Sequence, residues 1–186
     1  MTNLSNNSYL KGGYESLIVY WLAIDISDLT AIFCKRFIDK KSRTFDQMIQ
    51  ASRSGKQNIV EGSLENSVES NLKLTGVARA SYGELLEDYR DFLRQKGLNI
   101  WQKNDSRVIA VRRMRVNTNR SYKSHESYKS YLTDPEAFAN LMITLCFKQG
   151  YLLDRLIRAL QEKFIKEGGF RENLYKKRSN FKKIKS

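Results

Sequence analysis

The sequence predicts an all-α protein: an antiparallel up-and-down four-helix bundle with a long insertion between helices 3 and 4 and a basic C-terminal tail. Three observations carry that expectation. A single proline among 186 residues argues against a loop-rich or many-stranded fold. Four long stretches place apolar side chains at helical spacing. Most of the connections between them are short, and helices joined by short turns pack most simply as antiparallel neighbours. The bundle is expected over residues 14–168, with helices at about 15–39, 44–61, 67–96 and 134–167, an insertion at 101–132 and a tail at 169–186.

The first stretch follows Gly12-Gly13 and is apolar all round (Leu17, Ile18, Trp21, Leu22, Leu29, Ile32, Phe33, Phe37), as a deeply buried helix is. After the basic turn Lys40-Lys41-Ser42-Arg43, Thr44 with Gln47 three residues later reads as a capping box, and Gly62 as the helix stop. Ser67 reads as the third N-cap and Gly97 as the stop. Leu74, Val77, Ala78, Leu85, Tyr89 and Phe92 keep helical spacing between them. Gly76, Ala80 and Gly83 either admit a close backbone approach or merely weaken this helix, by ~1 kcal/mol per glycine. Thr133-Asp134-Pro135-Glu136 is the strongest helix start in the chain. The helix it opens offers Phe138, Met142, Leu145, Leu152, Leu156, Leu160 and Phe164 to the core. It should end at Gly168-Gly169, with Phe170 packing back on its last turn.

Residues 98–132 break the pattern. Val108 to Val116 suits a short strand or a helical turn, and periodicity does not choose. Ser-Tyr-Lys-Ser occurs twice, at 121–124 and 127–130. Connections of this length are often functional or disordered.

Charge is concentrated in two segments. The net charge is +13, of which +6 lies in residues 102–131 and +6 in residues 171–186. A near-neutral body with two basic appendages creates a local field that attracts polyanions, though such segments also serve simply to keep a protein soluble.

Several chemistries fail on residue supply. His125 is the one histidine, so the paired Glu-x-x-His motifs of a di-iron bundle are missing. A Cys–His nucleophile pair would need His125 to reach Cys34 or Cys146, which sit in apolar helical contexts typical of buried free thiols. Glu84, Glu87, Asp88 and Asp91 interleave with Arg90 and Arg94, the pattern of a solvated helix face. The expectation is a non-enzymatic protein with neither metal nor cofactor. The N-terminus lacks the basic start and apolar stretch of a secretion signal, and the apolar run 17–24 is far shorter than the ~20 residues of a membrane span, so a cytoplasmic location is expected.

Basic residues are the better candidates. Arg53 and Lys56 share a face of the second helix, while Arg112, Arg113, Arg115, Arg120 and Lys123 crowd the insertion beside Tyr122 and Tyr128. The tail mixes Phe170, Tyr175 and Phe181 with Lys176, Lys177, Arg178, Lys182 and Lys183. Cations bind phosphates and aromatic rings stack on unpaired bases, so the mixture suits single-stranded or structured RNA. Two other readings stay open: a soluble, frayed terminus, and a membrane-surface helix, for which the tail has little aliphatic surface.

The run Arg43-Thr44-Phe45-Asp46-Gln47-Met48, with Ala51-Ser52-Arg53-Ser54-Gly55-Lys56-Gln57-Asn58-Ile59-Val60-Glu61-Gly62, resembles the second-helix signature of a bacterial four-helix-bundle family. Its members include the 23S rRNA intervening sequence proteins and the accessory protein of diversity-generating retroelements. Residues 74–93, with Val77-Ala78-Arg79-Ala80-Ser81, resemble its third helix. Tyr151-Leu152-Leu153-Asp154-Arg155 and Glu167-Gly168-Gly169-Phe170-Arg171-Glu172 resemble the branch with a C-terminal suffix. The resemblance implies a ring-like homo-oligomer, a pentamer, whose basic surface meets nucleic acid and a reverse transcriptase, with Arg53, Lys56 and Arg79 facing RNA. Asn58 and Glu61 belong to the same motif, and physically they also suit helix–helix hydrogen-bond anchors. The rival expectation is a homo-oligomeric protein–protein scaffold without direct nucleic-acid binding.

Overall fold

The computed structural model describes residues 13–118 and 124–185. The N-terminal segment 1–12, Arg120 and Lys123 lie outside the described residues, as do the side chains of His125, Lys182 and Lys183. The described chain is all-helical, and no strand occurs in it. A 3-10 turn at Gly13–Ser16 leads into α1 (Ile18–Phe37), α2 (Arg43–Leu64), α3 (Val68–Lys96), α4 (Ser106–Arg113), the single turn α5 (Ser124–Ser127), α6 (Pro135–Glu167) and α7 (Phe170–Lys185). Helix α1 packs against α2 and α6, and α3 packs against the same two. No helix of the described residues is long and apolar enough to cross a membrane.

The helix ends follow from local chemistry. Ser67 Oγ accepts the Ser70 N–H at 3.1 Å, and Asp134 Oδ1 accepts the Ala137 N–H at 2.7 Å, so both expected caps form. Gly97 closes α3 at φ +65°, where an L side chain would be strained. Helix α2 departs from expectation at both ends. Its cap is Ser42, whose hydroxyl accepts the Phe45 N–H at 3.3 Å, so the helix starts at Arg43 and not after Thr44. It also runs through Gly62 to Leu64: Gly62 is buried against Asn71 and Leu74 of α3, and its missing side chain serves packing rather than termination.

The core centres on Phe33. Its ring meets Tyr89, Phe92 and Phe138 edge-on at 4.9–5.3 Å, which ties α1, α3 and α6 together. Such pairs stabilise by about 0.5–1.5 kcal/mol beyond their area. The Tyr89 hydroxyl donates to Thr30 Oγ1 at 3.0 Å, and Gln149 Nε2 donates to the Val19 carbonyl at 2.9 Å, so two buried polar contacts fix α3 and α6 against α1. Cys34 and Cys146 are free and buried, and burial, with a smaller contribution from Asp88, pushes the Cys34 thiol up to about 12, which makes it unreactive.

Small residues act elsewhere than expected. Nothing lies within 4 Å of a side chain built at Gly76, and Ala80 is exposed. Close approach occurs instead at Gly55, beneath the ring of Tyr82, and at Gly150, beneath the guanidinium of Arg79. Val77 is likewise exposed. In α6, no residue after Leu153 is fully buried, although the helix continues to Glu167. Beyond Gly168 (φ +75°) the basic tail forms α7, where no helix was expected. Phe170 is 45% exposed, and the start of α7 meets Glu69 of α3. There the Phe170 backbone amide and Arg171 help the Glu69 backbone and the Ser67 hydroxyl to hold the Glu69 carboxyl below its usual range.

Candidate nucleic-acid interface

The segment after α3 is folded back on α6 by side chains of α6 itself. Asn140, buried, accepts the Trp101 backbone N–H on Oδ1 at 2.8 Å, and its Nδ2 donates to the Asn99 carbonyl at 2.8 Å. Glu136 adds an acceptor for the Asn99 N–H at 3.0 Å. Asp105 then caps α4, accepting the Arg107 N–H at 2.9 Å and pairing with its guanidinium at 2.7 Å. Those bonds to Arg107 hold the Asp105 carboxyl below its ordinary range.

The stretch whose type periodicity leaves open is therefore helical from Ser106 to Arg113. Val108 and Val111 bury its inner face, and α4 packs on α6. Lys148 of α6 donates to the Met114 carbonyl at 2.6 Å and the Arg112 carbonyl at 3.4 Å. A cation at the end of a helix complements its dipole, so this contact fixes α4 from below. Burial lowers the Lys148 pKa, and the nearby Asp25 carboxylate partly offsets the shift.

A cleft of about 710 Å³ opens between this segment, α3 and α6, walled by Trp101, Phe147 and Tyr151 over a floor of Ile143, Thr144 and Leu152. Arg90, Lys103, Arg112 and Lys148 border it, and among the described residues no carboxylate does. The Arg107 guanidinium stacks 3.8 Å from the Trp101 ring centre, and Arg90 lies 5.3 Å from that of Phe147. On the other side of α3 the surface has the opposite sign. Glu84, Glu87 and Asp88 line a groove of about 670 Å³ with Gln47 and Gln50 of α2. Arg90 pairs with Glu87 at 2.6 Å and Arg94 with Asp91 at 2.9 Å, in keeping with a solvated face.

The predicted cationic residues separate into groups. Arg112 and Arg113 lie on the outer face of α4 and Arg115 just beyond it, all exposed. Lys176, Lys177 and Arg178 are exposed on α7, where Lys176 pairs with Glu172 at 2.6 Å. Lys182 and Lys183 belong to the same helix. Arg53 and Lys56 sit on α2, which packs on α1 and α3, so they do not join the α4 group. Lys56 borders a separate hollow with Tyr14, Tyr20 and Glu61. Arg79 is held by Asp154 of α6 at 3.0 Å. Asn58 donates to the Ser54 carbonyl at 2.8 Å and bonds within its own helix, while Ser54 reaches Ser81 of α3 at 3.2 Å. The interhelical polar link is thus Ser54–Ser81 and not a direct bond from Asn58.

Trp101, Lys103, Phe147 and Tyr151 are missing from the sequence-predicted set. Phe147 and Tyr151 lie one turn apart on the side of α6 away from its core residues, and that spacing was the readable signal. No protein-family model, curated protein or solved structure matches the chain.

Proposed function

We propose that the chain is a non-enzymatic nucleic-acid-binding protein, with RNA preferred over DNA, built as an up-and-down four-helix bundle of α1, α2, α3 and α6. The segment carrying α4 is an insertion in that bundle, and α7 is its basic extension. One observation carries the functional reading. Arg112, Arg113, Arg115, Lys177 and Arg178 are exposed, and among the described residues no carboxylate pairs with them. Excess cations left open to solvent attract phosphates, and releasing the counterions of a strand drives its binding. The acidic α2/α3 groove would repel the same strand and so confines it to the α4 side.

Titrating labelled single-stranded RNA at several salt concentrations tests the reading. Each phosphate contact contributes about −0.7 to the log–log slope. Replacing Arg112, Arg113 and Arg115 together by alanine should flatten that slope by about 2. Absence of binding at low salt would reject the proposal.

The resemblance of α2 and α3 to the retroelement accessory and intervening-sequence proteins agrees with this reading. It adds a ring-like homo-oligomer, a pentamer, and an accessory role beside a reverse transcriptase or another ribonucleoprotein. Light scattering in solution checks the oligomer. A second reading, a protein–protein scaffold acting through the bundle itself, is favoured by the exposed apolar residues Ile18 of α1, Leu64 of α2 and Val77 of α3. Deleting residues 171–186 separates the two, since a scaffold acting through its other faces keeps its partner and an RNA binder loses affinity.

A further inference from the structure

We infer that the cleft beside α4 holds one unstacked nucleotide, its base against Phe147 and Tyr151 and its phosphate at Lys103 and Arg112. The inference deepens the nucleic-acid reading and rests on it for the strand that delivers the nucleotide. Its volume of about 710 Å³ falls within the ~300–1,000 Å³ typical of small-molecule sites. The lining selects the ligand class. Cations in a lining that contains no carboxylate attract an anion, and a wall of three aromatic rings favours a planar ring over a sugar or a hydrated ion.

The site is also preformed. Asn140 and Glu136 hold the backbone at Asn99 and Trp101, and Arg107 stacks on Trp101, so the indole wall is fixed before anything binds. Phe147 and Tyr151 are 48% and 59% exposed, an unfavourable placement for large rings that a stacked base would cover. Two of the bordering cations are already engaged: Arg90 by Glu87, and Lys148 by the carbonyls at the end of α4. Lys103 and Arg112 have no carboxylate partner among the described residues; Arg112 donates to the Lys103 carbonyl at 3.3 Å, an exposed contact that leaves the rest of its guanidinium fork for phosphate.

Two probes test the assignment. The first is a single-stranded RNA oligomer with one 2-aminopurine, whose fluorescence reports unstacking. The second is adenosine monophosphate set against ribose 5-phosphate, followed by amide chemical shifts. Wild-type protein should change the 2-aminopurine signal, and adenosine monophosphate should shift residues around 100–103 and 143–151 where ribose 5-phosphate does not. Phe147→Ala with Tyr151→Ala, both at exposed positions, should weaken single-strand binding by at least about fivefold with an unchanged salt slope. If that variant binds the strand as tightly as wild type, the base site is overturned and charge-driven binding stands. If wild type binds no RNA but takes up adenosine monophosphate alone, the strand reading fails and the nucleotide site stands. Equal responses to the two phosphates, or none, overturn the base assignment.

Discussion

Asn140 Oδ1 accepts the backbone N–H of Trp101 at 2.8 Å across 39 positions of sequence. With its amide group on the Asn99 carbonyl, this one side chain sets where the segment after α3 lies on α6. Replacing Asn140 by alanine removes both hydrogen bonds, which are part-buried and contribute about 0.5–1.5 kcal/mol each. Hydrogen exchange should accelerate across residues 98–114 and the melting temperature should fall. Unchanged protection there would show that Glu136, Lys148 and the buried valines hold the segment without Asn140.

Tyr82 and Gly55 give a second prediction. A methyl group at position 55 would stand 2.6 Å from the Tyr82 ring, and that ring is buried. Gly55→Ala should destabilise the protein, because overpacking costs about 1–3 kcal/mol against a helix-propensity gain of ~1 kcal/mol. The buried Tyr82 hydroxyl lies near Gln149 but makes no well-formed hydrogen bond among the described residues. Tyr82→Phe should therefore leave the melting temperature unchanged or raise it, which thermal denaturation reads directly.

Asp88 predicts a pH dependence. Burial, followed by the nearby Asp91 and Glu84, pushes its carboxyl up to about 6. The folded state then holds a proton that the unfolded state has released between about pH 4 and 6. Stability from this group is lost as pH rises through 6 and regained as pH falls toward 4. Asp88→Asn should raise the melting temperature at pH 7.5 and flatten its change between pH 4 and 6. An unaltered profile would mean that the carboxyl ionises normally.

Arg79 and Arg112 differ in what surrounds them. Asp154 occupies the first, at 3.0 Å, whereas the second has no carboxylate partner among the described residues. Arg112→Ala should reduce RNA affinity and its salt slope more than Arg79→Ala does. Both partners of the Arg79 pair are well exposed, so its loss should alter stability by no more than ~1 kcal/mol. Equal losses of affinity for the two variants would place RNA on the α3/α6 face as well.

Where a boundary rests on a side chain next to it in sequence, it was readable: Ser67, Gly97 and the Asp134-Pro135 pair each end or begin a helix as their chemistry dictates. Gly62 misleads because tertiary packing uses it, and the small residues at 76, 80 and 83 mislead because they face outward. Helix α4 has only two buried residues, too few for a periodic signal. The cleft is less legible still. Its walls come from three separate segments, and only the fold brings Trp101 to Phe147. The cations of α4 and α7 were visible as composition, but which of them lack a partner depends on carboxylates such as Asp105 and Glu172.

The final turns of α6, beyond Leu153, add about 21 Å of helix without a fully buried residue. Past Asp154, which pairs with Arg79, and Leu156, which packs on the core, the segment acts as a spacer held, among the described residues, only by the contact of the start of α7 with Glu69. Adding or removing residues there would slide and rotate α7, by ~100° per residue, while leaving the packed interior intact. Reach and orientation of the cationic extension can thus drift between related chains at the cost of that one contact with Glu69.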